Sequence, residues 1–389
     1  MSDNVFDILI IGGGIQGAGV AQAAVAAGYH TCLLEKTAIA SATSSRSSKL
    51  IHGGLRYLES GQFSLVRKAL YERDLLLRMA PELVKAVPFY IPVYKNSSRP
   101  AWKIRLGLML YAVLGGFKQY TAFKEIKSGF KHQLAGLRED DLSALYQYWD
   151  AQTDDAALTR SVVQSAKDLG LILICPAGFE SAVYQQNHYQ VSYTENAETK
   201  QVYTRFIVNA AGPWVNHVLD RIKPEPEQLM IDLVQGAHII LDVKAGESIY
   251  YLEAPQNQRA VFVMPWKGKT LVGTTETEFN GDLNRIEATE AEIRYLQAVY
   301  QYYFPSRSAG LLDSFAGVRV LPKTDSSYFN RPRDTVLQSS GKNILTMYGG
   351  KLTGYRATAQ QVIKKIKADL PERKAIADTR NIELKPVHK

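Results

Sequence analysis

Residues 43–59, TSSRSSKLIHGGLRYLE, concentrate side chains that can bind a cofactor and an anion. They include five small hydroxyl residues, two glycines and four basic or imidazole side chains, Arg46, Lys49, His52 and Arg56. Hydroxyls and bare backbone can hydrogen-bond phosphate oxygens and ring edges, and cationic side chains bind anions. A histidine titrates near neutral pH and is a candidate general base. The stretch predicts a cofactor cradle beside an anion site, with a serine-rich surface loop as the alternative.

The segment before this stretch predicts the elements that position it. FDILIIGGGIQGAGVAQAAVAAGYHTCLLEK begins with an apolar strand over residues 7–11 and continues with a helix over 18–27, which Gly28 ends. A second strand follows over residues 31–34. Strand, helix and strand in this order form one βαβ unit.

Three glycines and one acid complete a dinucleotide-binding pattern in this unit. Gly12, Gly14 and Gly17 satisfy G-x-G-x-x-G, and Glu35 follows 23 positions after Gly12. Such glycines allow a tight turn, close approach of a pyrophosphate and packing of helix on strand, and the helix N-terminus faces the phosphates. Glu35 is placed to accept hydrogen bonds from a ribose diol. A glycine-rich turn without ligand is the alternative.

The continuation of the chain favours a flavin over a nicotinamide cofactor. A nicotinamide dehydrogenase usually continues with further alternating strands and helices, whereas this chain enters the hydroxyl-rich stretch. The hydroxyls can bond a pyrophosphate, and Gly53 and Gly54 let the backbone approach an isoalloxazine ring. The prediction is therefore a flavin dinucleotide.

Length and cysteine content limit the fold and the compartment. A chain of 389 residues can form two packed domains or one large α/β unit. Cys32 and Cys175 lie in apolar runs that predict strands, so we expect two buried, reduced thiols and a cytoplasmic location. A catalytic or bridged pair is the less favoured alternative. The N-terminus enters a strand at once, without the features of a secretory signal, and no metal site is predicted.

The net charge of +8 is concentrated in residues 95–131, which hold eight Lys or Arg and one acid, Glu125. Within this window the apolar run 106–117 has twelve residues, fewer than the roughly 18 that span a bilayer. Basic residues beside a short apolar segment suit an amphipathic element on an anionic membrane surface. A core helix with a solvated basic flank is an equal alternative. Nucleic acid is disfavoured, since no binding motif is recognisable.

Several motifs together resemble one known family. GGGIQGAG, ATSSRSSKLIHGGLRYLE, LVRKAL, MAPELV, RPAW, NAAGPWV, VFVMPW, VGTTE, AGVRVL and GGKLT occur in this order. They resemble the motifs of the FAD-dependent glycerol-3-phosphate dehydrogenases, within the D-amino-acid-oxidase-like flavoprotein superfamily. The match covers about residues 5–360, and SSKLIHGGLRYLE and GGKLT are its most specific parts.

The resemblance implies an α/β fold in which a Rossmann-like FAD-binding domain is interleaved with an antiparallel β-sheet substrate domain. The expected division places residues 1–80, 145–225 and 310–389 in the first domain and 81–144 and 226–309 in the second. The residues support this division: FIVN (206–209) and ILTM (344–347) predict strands of the first domain, and β-rich runs between 232 and 279 predict an antiparallel sheet, with WKGK as a turn.

The expected catalytic residues are His52, Arg56 and Arg319. His52 is the candidate base, with a histidine that only hydrogen-bonds cofactor or backbone as an equal alternative, and the resemblance implies phosphate binding at Arg56, Arg319 and Lys351. The expected substrate-binding residues are Arg56, Tyr57, Thr275, Arg319 and Lys351. The N–H groups of residues 350–353, at a predicted helix start, are expected to stabilise negative charge on a reduced flavin. The expected cofactor-binding residues are Gly12, Gly14, Gly17, Glu35, Lys36, Thr43, Ser44, Ser45, Ser48, Lys49, Leu50, His52, Ala211, Gly212, Trp214, Gly350, Lys351, Leu352 and Thr353.

The implied reaction is oxidation of sn-glycerol 3-phosphate to dihydroxyacetone phosphate. His52 takes the hydroxyl proton, a hydride goes to flavin N5, and electrons pass to a quinone. The implied location is peripheral, on the inner face of the cytoplasmic membrane, and the sequence allows a homodimer. Two alternatives stay open: an FAD enzyme for another small anion, such as an amino acid or 2-hydroxy acid, and a non-catalytic flavin-binding subunit.

The chain also departs from the family pattern. Members usually continue into a helical C-terminal domain, which we expect this chain to lack. Val320 stands where the pattern usually has proline, and Arg46 replaces a small residue. Neither Arg331 nor Arg333 aligns confidently with a second phosphate-binding arginine.

Overall fold

The computed structural model describes residues 5–126, 136–323 and 335–387. These ranges form two β-sheets, of nine and ten strands, with seven α-helices. The helices are α1 (Ile15–Ala26), α2 (Phe63–Met79), α3 (Ala101–Leu114), α4 (Asp155–Asp168), α5 (Val215–Leu219), α6 (Glu290–Tyr303) and α7 (Tyr355–Ile366). The strands are β1 (Val5–Ile11), β2 (Thr31–Leu34), β3 (Leu50–Ile51), β4 (Val84–Tyr94), β5 (Lys124–Glu125), β6 (Leu142–Thr153), β7 (Ile172–Ile174), β8 (Gly178–Gln185), β9 (His188–Glu195), β10 (Glu198–Asn209), β11 (Ile222–Lys223), β12 (Ile231–Leu241), β13 (Ile249–Glu253), β14 (Ala260–Trp266), β15 (Lys269–Gly273), β16 (Thr277–Glu278), β17 (Leu311–Pro322), β18 (Val336–Ser340) and β19 (Ile344–Tyr348).

The first sheet brings several strand ends to one edge. Its order is β11-β8-β9-β10-β1-β2-β7, with β19 also paired to β10 and β18 beyond it. The pairs β1–β2, β2–β7, β1–β10 and β10–β19 are parallel. The register sets Ile11 beside Leu34 and Asn209, and Leu34 beside Ile174. The loops after these strands therefore meet at the carboxyl edge, where α/β sheets bind ligands.

Helix α1 is buried on nearly all sides because its Ala- and Gly-rich sequence lets α4 and α7 pack closely. A Cβ on Gly19 would lie 2.7 Å from the Tyr355 ring. The helix begins at Ile15, three residues before the predicted start, because Gly14 takes the N-cap conformation. The strands predicted over 7–11 and 31–34 are confirmed.

The second sheet has the order β16-β12-β15-β14-β13-β4-β6-β3, with β17 paired to β12 and β5 to β6. Its pairs are antiparallel except β13–β4, which is parallel. The predicted turn is confirmed, since β14 and β15 are joined at Lys267 and Gly268, both with positive φ. Apolar clusters cover both faces of this sheet.

The two sheets exchange chain segments several times, and the predicted α/β fold with a Rossmann-like FAD-binding region is confirmed. The domain boundaries stay a proposal. Strand β17 falls in the segment 310–389, which the sequence division assigns to the FAD-binding domain, yet it pairs along β12 in the second sheet. Strand β6 crosses the boundary at residue 145. Both strands pair within the second sheet and contribute residues to the cavity lining, Tyr148 from β6 and residues 317–322 from β17.

The cysteines differ in burial. Cys32 is buried in β2, and burial raises the pKa of its thiol to about 12. Cys175 is only partly buried, because it follows the end of edge strand β7. The prediction of two buried thiols is therefore wrong for Cys175. Both thiols are free.

Helix α3 contains most of the apolar run predicted over 106–117 and begins earlier, at Ala101. Its inner face buries Leu108, Tyr111 and Ala112. Its outer face exposes a row of large apolar side chains, Trp102, Leu106, Met109 and Val113, with Phe117 beyond the helix end. Within the described ranges, every helix is too short or too polar to cross a membrane.

Candidate active site

A cavity of about 2180 Å³ lies between the carboxyl edge of the first sheet and the second sheet. Pockets for small molecules commonly have volumes of roughly 300–1,000 Å³. This cavity is therefore large enough for a dinucleotide and a substrate together. Its lining combines the loops after β1, β2, β10 and β19 with residues of the hydroxyl-rich stretch and of β12, β14 and β17.

Gly12 and Gly17 shape the floor of the cavity where β1 ends. Gly12 has φ +110°, and a Cβ there would lie 2.6 Å from the Ala210 carbonyl oxygen. A Cβ on Gly17 would lie 1.9 Å from the Gly12 carbonyl oxygen. Gly17 itself does not line the cavity, so its part in the predicted fingerprint is to let α1 pack against the turn.

Gly14 and Ser44 form the wall at the N-terminus of α1. The Ile15 N–H donates to Ser44 Oγ at 2.8 Å, which leaves the serine hydroxyl hydrogen able to donate elsewhere. Gly14, Ile15 and Gln16 all line the cavity. The N-cap residue, Gly14, has no side chain that could accept from the first turn, so the contact of Ser44 with the Ile15 N–H is the side-chain bond described there. The positive end of the helix dipole is thus available to an anion.

Replacing Gly14 with valine should abolish FAD binding. Any Cβ at this position lies 3.0 Å from Ser44 Oγ, and the branched side chain would fill the approach to the helix N-terminus. We expect the purified variant to be colourless and to take up no FAD on titration. Gly310→Val is the matched control, because no atom lies within 4 Å of its added Cβ. A yellow, FAD-loaded Gly14→Val protein would contradict the cradle.

Glu35 lies at the end of β2 and lines the cavity with Lys36. Its carboxylate accepts from the Gly13 N–H at 2.6 Å and from the Thr37 N–H at 2.9 Å. These bonds fix the carboxylate beside the glycine turn. Oε1 also accepts from the Thr37 hydroxyl at 3.3 Å, but Oε2, which accepts from Gly13, has a second lone pair. The predicted role toward a ribose diol therefore stays a compatible proposal.

The predicted hydroxyls do not all face the cavity. Thr43, Ser44 and Ser48 line it, with Thr43 donating to the Val318 carbonyl and Ser48 Oγ lying 3.0 Å from His238 Nε2.

Ser45 and Lys49 do not line the cavity, and the structure does not support their prediction as cofactor-binding residues. Lys49 is buried and pairs with Asp155 at 2.7 Å, because a buried ammonium needs a counter-charge. Its Nζ also donates to the Ser45 carbonyl. This pair attaches the hydroxyl-rich stretch to the start of α4.

The remaining predicted cofactor contacts gather on the lining: Leu50, His52, Ala211, Gly212, Trp214, Gly350, Lys351, Leu352 and Thr353. The loop 350–353 does not start a helix as predicted. Gly349 and Gly350 both have positive φ, and α7 begins only at Tyr355 after the N-cap Gly354. The loop is instead held against α1, since Gln16 Nε2 donates to the Lys351 carbonyl at 3.2 Å.

His52 is partly buried and faces the cavity. Its backbone N–H donates to Thr353 Oγ1 at 3.1 Å, which joins the hydroxyl-rich stretch to the loop 350–353. Burial lowers the pKa of the imidazole; Asp150 opposes this shift, and Lys351 and Arg56 add to it. The ring is therefore neutral at neutral pH and can accept a proton.

Three cationic side chains line the cavity, and two of them, Lys351 and Arg56, lie near His52, whereas Arg319 lies near His238. The Lys351 Nζ is buried, lies 4.0 Å from the centre of the Tyr57 ring and has no hydrogen-bond acceptor among the described residues. Arg56 lines the cavity and forms no salt bridge within those residues. Arg319 enters from β17, where its Nη2 would lie 3.1 Å from a Cβ on Gly236. These groups form a hollow suited to an anion.

Thr275 reaches the cavity, but its hydroxyl is already bonded on both sides. It accepts from the Ala237 N–H at 2.8 Å and donates to Glu292 at 2.7 Å. Burial raises the pKa of Glu292, but hydrogen bonds from Thr289, Thr275, Thr277 and Gln235 outweigh it and the net pKa is lowered. The ionised Glu292 therefore holds Thr275 in place. Binding of substrate by Thr275 stays a proposal.

Among the polar lining residues that sequence reasoning missed are His238, Arg259 and Glu276. Arg259 pairs with Glu276 at 2.9 Å. His238 stacks on Phe315, with ring centres 5.0 Å apart, and burial with the charges of Lys49 and Arg319 lowers its pKa to about 3. His238 lies within β12, where only the alternation of faces could have indicated it, and Arg259 and Glu276 lie in the loops before β14 and after β15.

Arg331 and Arg333 lie outside the described residues. In the described ranges, no three His, Cys, Asp or Glu side chains gather in a way that could hold a metal ion.

Comparison of the sequence with known proteins gives consistent matches. Residues 7–356 match the family described as FAD dependent oxidoreductase. The chain is 36% identical over 379 residues to D-erythritol 1-phosphate dehydrogenase of Brucella abortus, covering 94% of this chain and 74% of that protein. It is 34% identical over 371 residues to the aerobic glycerol-3-phosphate dehydrogenase of Escherichia coli, covering 92% and 73%. The resemblance inferred from the motifs is confirmed.

Solved structures show the same architecture. The glycerol-3-phosphate dehydrogenase of Bacillus halodurans, complexed with FAD, aligns with a TM-score of 0.78 and 26% identity, covering 99% of this chain and 68% of that chain. The L-alpha-glycerophosphate oxidase of Mycoplasma pneumoniae, with FAD bound, aligns with a TM-score of 0.75 over 97% and 98% of the two chains. At 17% identity this second match shows the fold alone.

The residues of the cavity fit FAD. The turn at Gly12 has no room for a Cβ, and the first turn of α1 is open to an anion. Ser44 keeps a free hydroxyl hydrogen beside that turn.

Proposed function

Because the chain belongs to the FAD-dependent oxidoreductase family, we propose that it oxidises sn-glycerol 3-phosphate to dihydroxyacetone phosphate. One observation carries the choice of a phosphorylated substrate. The Lys351 Nζ is buried without an acceptor among the described residues, beside His52 and Arg56. An unpaired buried ammonium is costly unless a ligand neutralises it. A phosphate dianion matches several cations at once, whereas a single carboxylate needs fewer.

The chemistry that FAD supplies when bound is acceptance of a hydride at N5 of the isoalloxazine ring. His52 accepts the proton of the secondary hydroxyl, a role that its lowered pKa permits at neutral pH. Lys351, Arg56 and Arg319 hold the phosphate and so fix the carbinol relative to His52. The hydrogen bond from the His52 N–H to Thr353 Oγ1 limits movement of this base.

On the acid side of the pH profile, kcat/KM should fall with an apparent pKa below 6.5, and this fall is called the acid limb. A base must be neutral to accept a proton, and the folded protein lowers the pKa of His52 from 6.5. Activity is therefore present above this lowered pKa and is lost as pH falls through it. Lys351→Met removes a charge that lowers the pKa, so its limb should move to higher pH. A limb above pH 6.5 in the unmodified protein would contradict His52 as the base.

D-Erythritol 1-phosphate is a second candidate substrate, because the chain is 36% identical to an enzyme named for it and the cavity is large. Anaerobic reduction of the bound flavin separates the candidates. We expect sn-glycerol 3-phosphate to bleach the flavin faster than D-erythritol 1-phosphate, and glycerol, 2-hydroxy acids and amino acids to react least. Faster bleaching by a carboxylate would reassign the substrate. Flavin that none of these compounds reduces would support a non-catalytic subunit.

We further propose that electrons pass to a membrane quinone and that α3 rests on the inner face of the membrane. Trp102, Leu106, Met109 and Val113 form one apolar row, and Trp102 is 67% exposed. Basic side chains on the same helix, Lys103 and Arg105, are exposed beside it. Apolar insertion combined with basic residues suits an anionic leaflet.

Placing glutamate at both Trp102 and Leu106 should remove binding to vesicles that contain phosphatidylglycerol. The charges would face the acyl boundary and repel the anionic headgroups. Co-sedimentation measures the effect, and turnover with a soluble acceptor should not change. Met230→Glu is the control, because Met230 is 70% exposed but lies away from α3. Equal vesicle binding by both variants would rule out this face.

A further inference from the structure

Three buried polar residues form a chain that ends at the backbone beside His52. Arg73 comes from α2, Asp150 from β6 and Tyr111 from α3, and each is at most 1% exposed. Arg73 Nη1 donates to Asp150 at 2.8 Å and to the Trp149 carbonyl at 3.0 Å. The Tyr111 hydroxyl donates to the Asp150 carboxylate at 2.8 Å.

The chain of bonds continues to the Gly53 peptide. The Gly53 N–H donates to the Tyr111 hydroxyl oxygen at 2.8 Å, with Asp150 Oδ1 farther away at 3.4 Å. A Cβ on Gly53 would lie 2.4 Å from the Tyr111 oxygen. Only glycine therefore lets this peptide approach the hydroxyl closely enough for the bond.

Stability of the core does not explain such a cluster. A buried ion pair loses much hydration, and apolar side chains of similar size stabilise a core at least as well. The cluster joins three elements that approach the cavity from different sides, and its one backbone contact in the hydroxyl-rich stretch adjoins His52. On the other side, Thr353 accepts the His52 N–H at 3.1 Å. The N–H groups of His52 and Gly53 are thus held by two different side chains, Thr353 and Tyr111.

We propose that Tyr111, Asp150 and Arg73 act as positioning residues that hold the His52–Gly53 peptide and so aim the His52 imidazole at the substrate hydroxyl. The proposal rests on the role given to His52 under the proposed function. The Asp150 charge has a second effect, because it opposes the lowering of the pKa of His52 by burial. Lys351 and Arg56, which face His52 from the cavity side, act in the opposite direction.

The test replaces Tyr111 with phenylalanine, which removes the nearer acceptor of the Gly53 N–H, leaves only the longer contact with Asp150 Oδ1, and keeps the Arg73–Asp150 pair. We expect kcat with sn-glycerol 3-phosphate to fall about tenfold or more, with KM within about twofold and FAD content unchanged. The solvent deuterium isotope effect on kcat should increase, because a misaligned base makes proton transfer slower.

The control is Tyr94→Phe, which removes the hydroxyl of another buried tyrosine, whose bond goes to the Arg138 carbonyl. If removal of a buried hydroxyl lowers the thermal stability of Tyr111→Phe, Tyr94→Phe should lose a similar amount. The kcat of Tyr94→Phe should stay unchanged. Unchanged kcat and isotope effect in Tyr111→Phe would assign the cluster to stability alone.

A second measurement does not depend on turnover. NMR of histidine-labelled, FAD-loaded protein reports the imidazole of His52, identified by its loss in His52→Gln. The His52 ring signals should shift in Tyr111→Phe and stay in place in Tyr94→Phe. Unshifted signals in both variants would overturn the proposal. If the unmodified protein does not oxidise sn-glycerol 3-phosphate, the proposed function fails, and these signals still decide whether the cluster positions His52.

Discussion

Replacing His52 with glutamine lowers kcat for sn-glycerol 3-phosphate by about 10²–10⁴-fold, with FAD still bound. The loss is large because the substrate hydroxyl then has no neutral imidazole to accept its proton. FAD is retained because the backbone contacts of this stretch do not depend on the ring; the His52 N–H still donates to Thr353. Rapid-mixing measurement of flavin reduction without oxygen gives the rate of the chemical step directly.

His30→Gln is the matched control for this prediction, since His30 is exposed and its ring stacks on Phe6 away from the cavity. If the rate of flavin reduction is unchanged in His52→Gln, the general base must be another group. Two other imidazoles line the described cavity, those of the exposed His217 and of His238; the second lies 3.0 Å from the Ser48 hydroxyl and is the alternative considered. Its pKa of about 3 keeps it neutral, but its burial at 1% exposure leaves little of the ring accessible.

The second large effect is expected at Lys351. Lys351→Met removes a charge whose partner in the complex is the substrate phosphate, and loss of one member of a buried charge pair costs about 2–5 kcal/mol. That corresponds to a loss of roughly 30- to several-thousand-fold in kcat/KM. Most of the loss should appear in KM, because the phosphate contact exists before and during the reaction. Steady-state kinetics with sn-glycerol 3-phosphate measures it.

The comparison with glycerol makes this prediction specific. Glycerol carries no phosphate, so its weak oxidation should be nearly the same in Lys351→Met and the unmodified protein. Lys364→Met is the control, since Lys364 is an exposed lysine of α7 outside the cavity. Equal losses for the two substrates would mean that Lys351 supports the flavin rather than the phosphate.

The sequence predicted those parts of the site that depend on local backbone rules. The first strand, the glycine turn and the second strand follow from hydrophobic runs and from positions that need close backbone approach, and Gly12 indeed has φ +110°. The sequence could not show that Lys49 turns away from the cavity, because its partner Asp155 lies 106 residues later. The diglycine turn at Gly349 and Gly350 could be predicted, but not that α7 begins only at Tyr355.

The other parts of the site depend on pairing between segments that are far apart in the sequence. His238 and Arg319 come together because β17 pairs antiparallel along β12. The register of two strands some eighty positions apart is set by packing and not by either segment alone. The Arg73–Asp150–Tyr111 cluster has the same origin, since its members come from three separate elements. Each residue alone would be predicted as an ordinary helix or strand residue.

The central claim is that one cavity holds FAD against a cationic hollow that receives the phosphate of the substrate. A crystal structure of the FAD-loaded protein with sn-glycerol 3-phosphate, prepared without oxygen, tests this directly. We predict the phosphate within hydrogen-bond distance of the Lys351 Nζ and the secondary hydroxyl within hydrogen-bond distance of the His52 ring. A phosphate bound elsewhere, with Lys351 still lacking an anionic partner, would contradict the account.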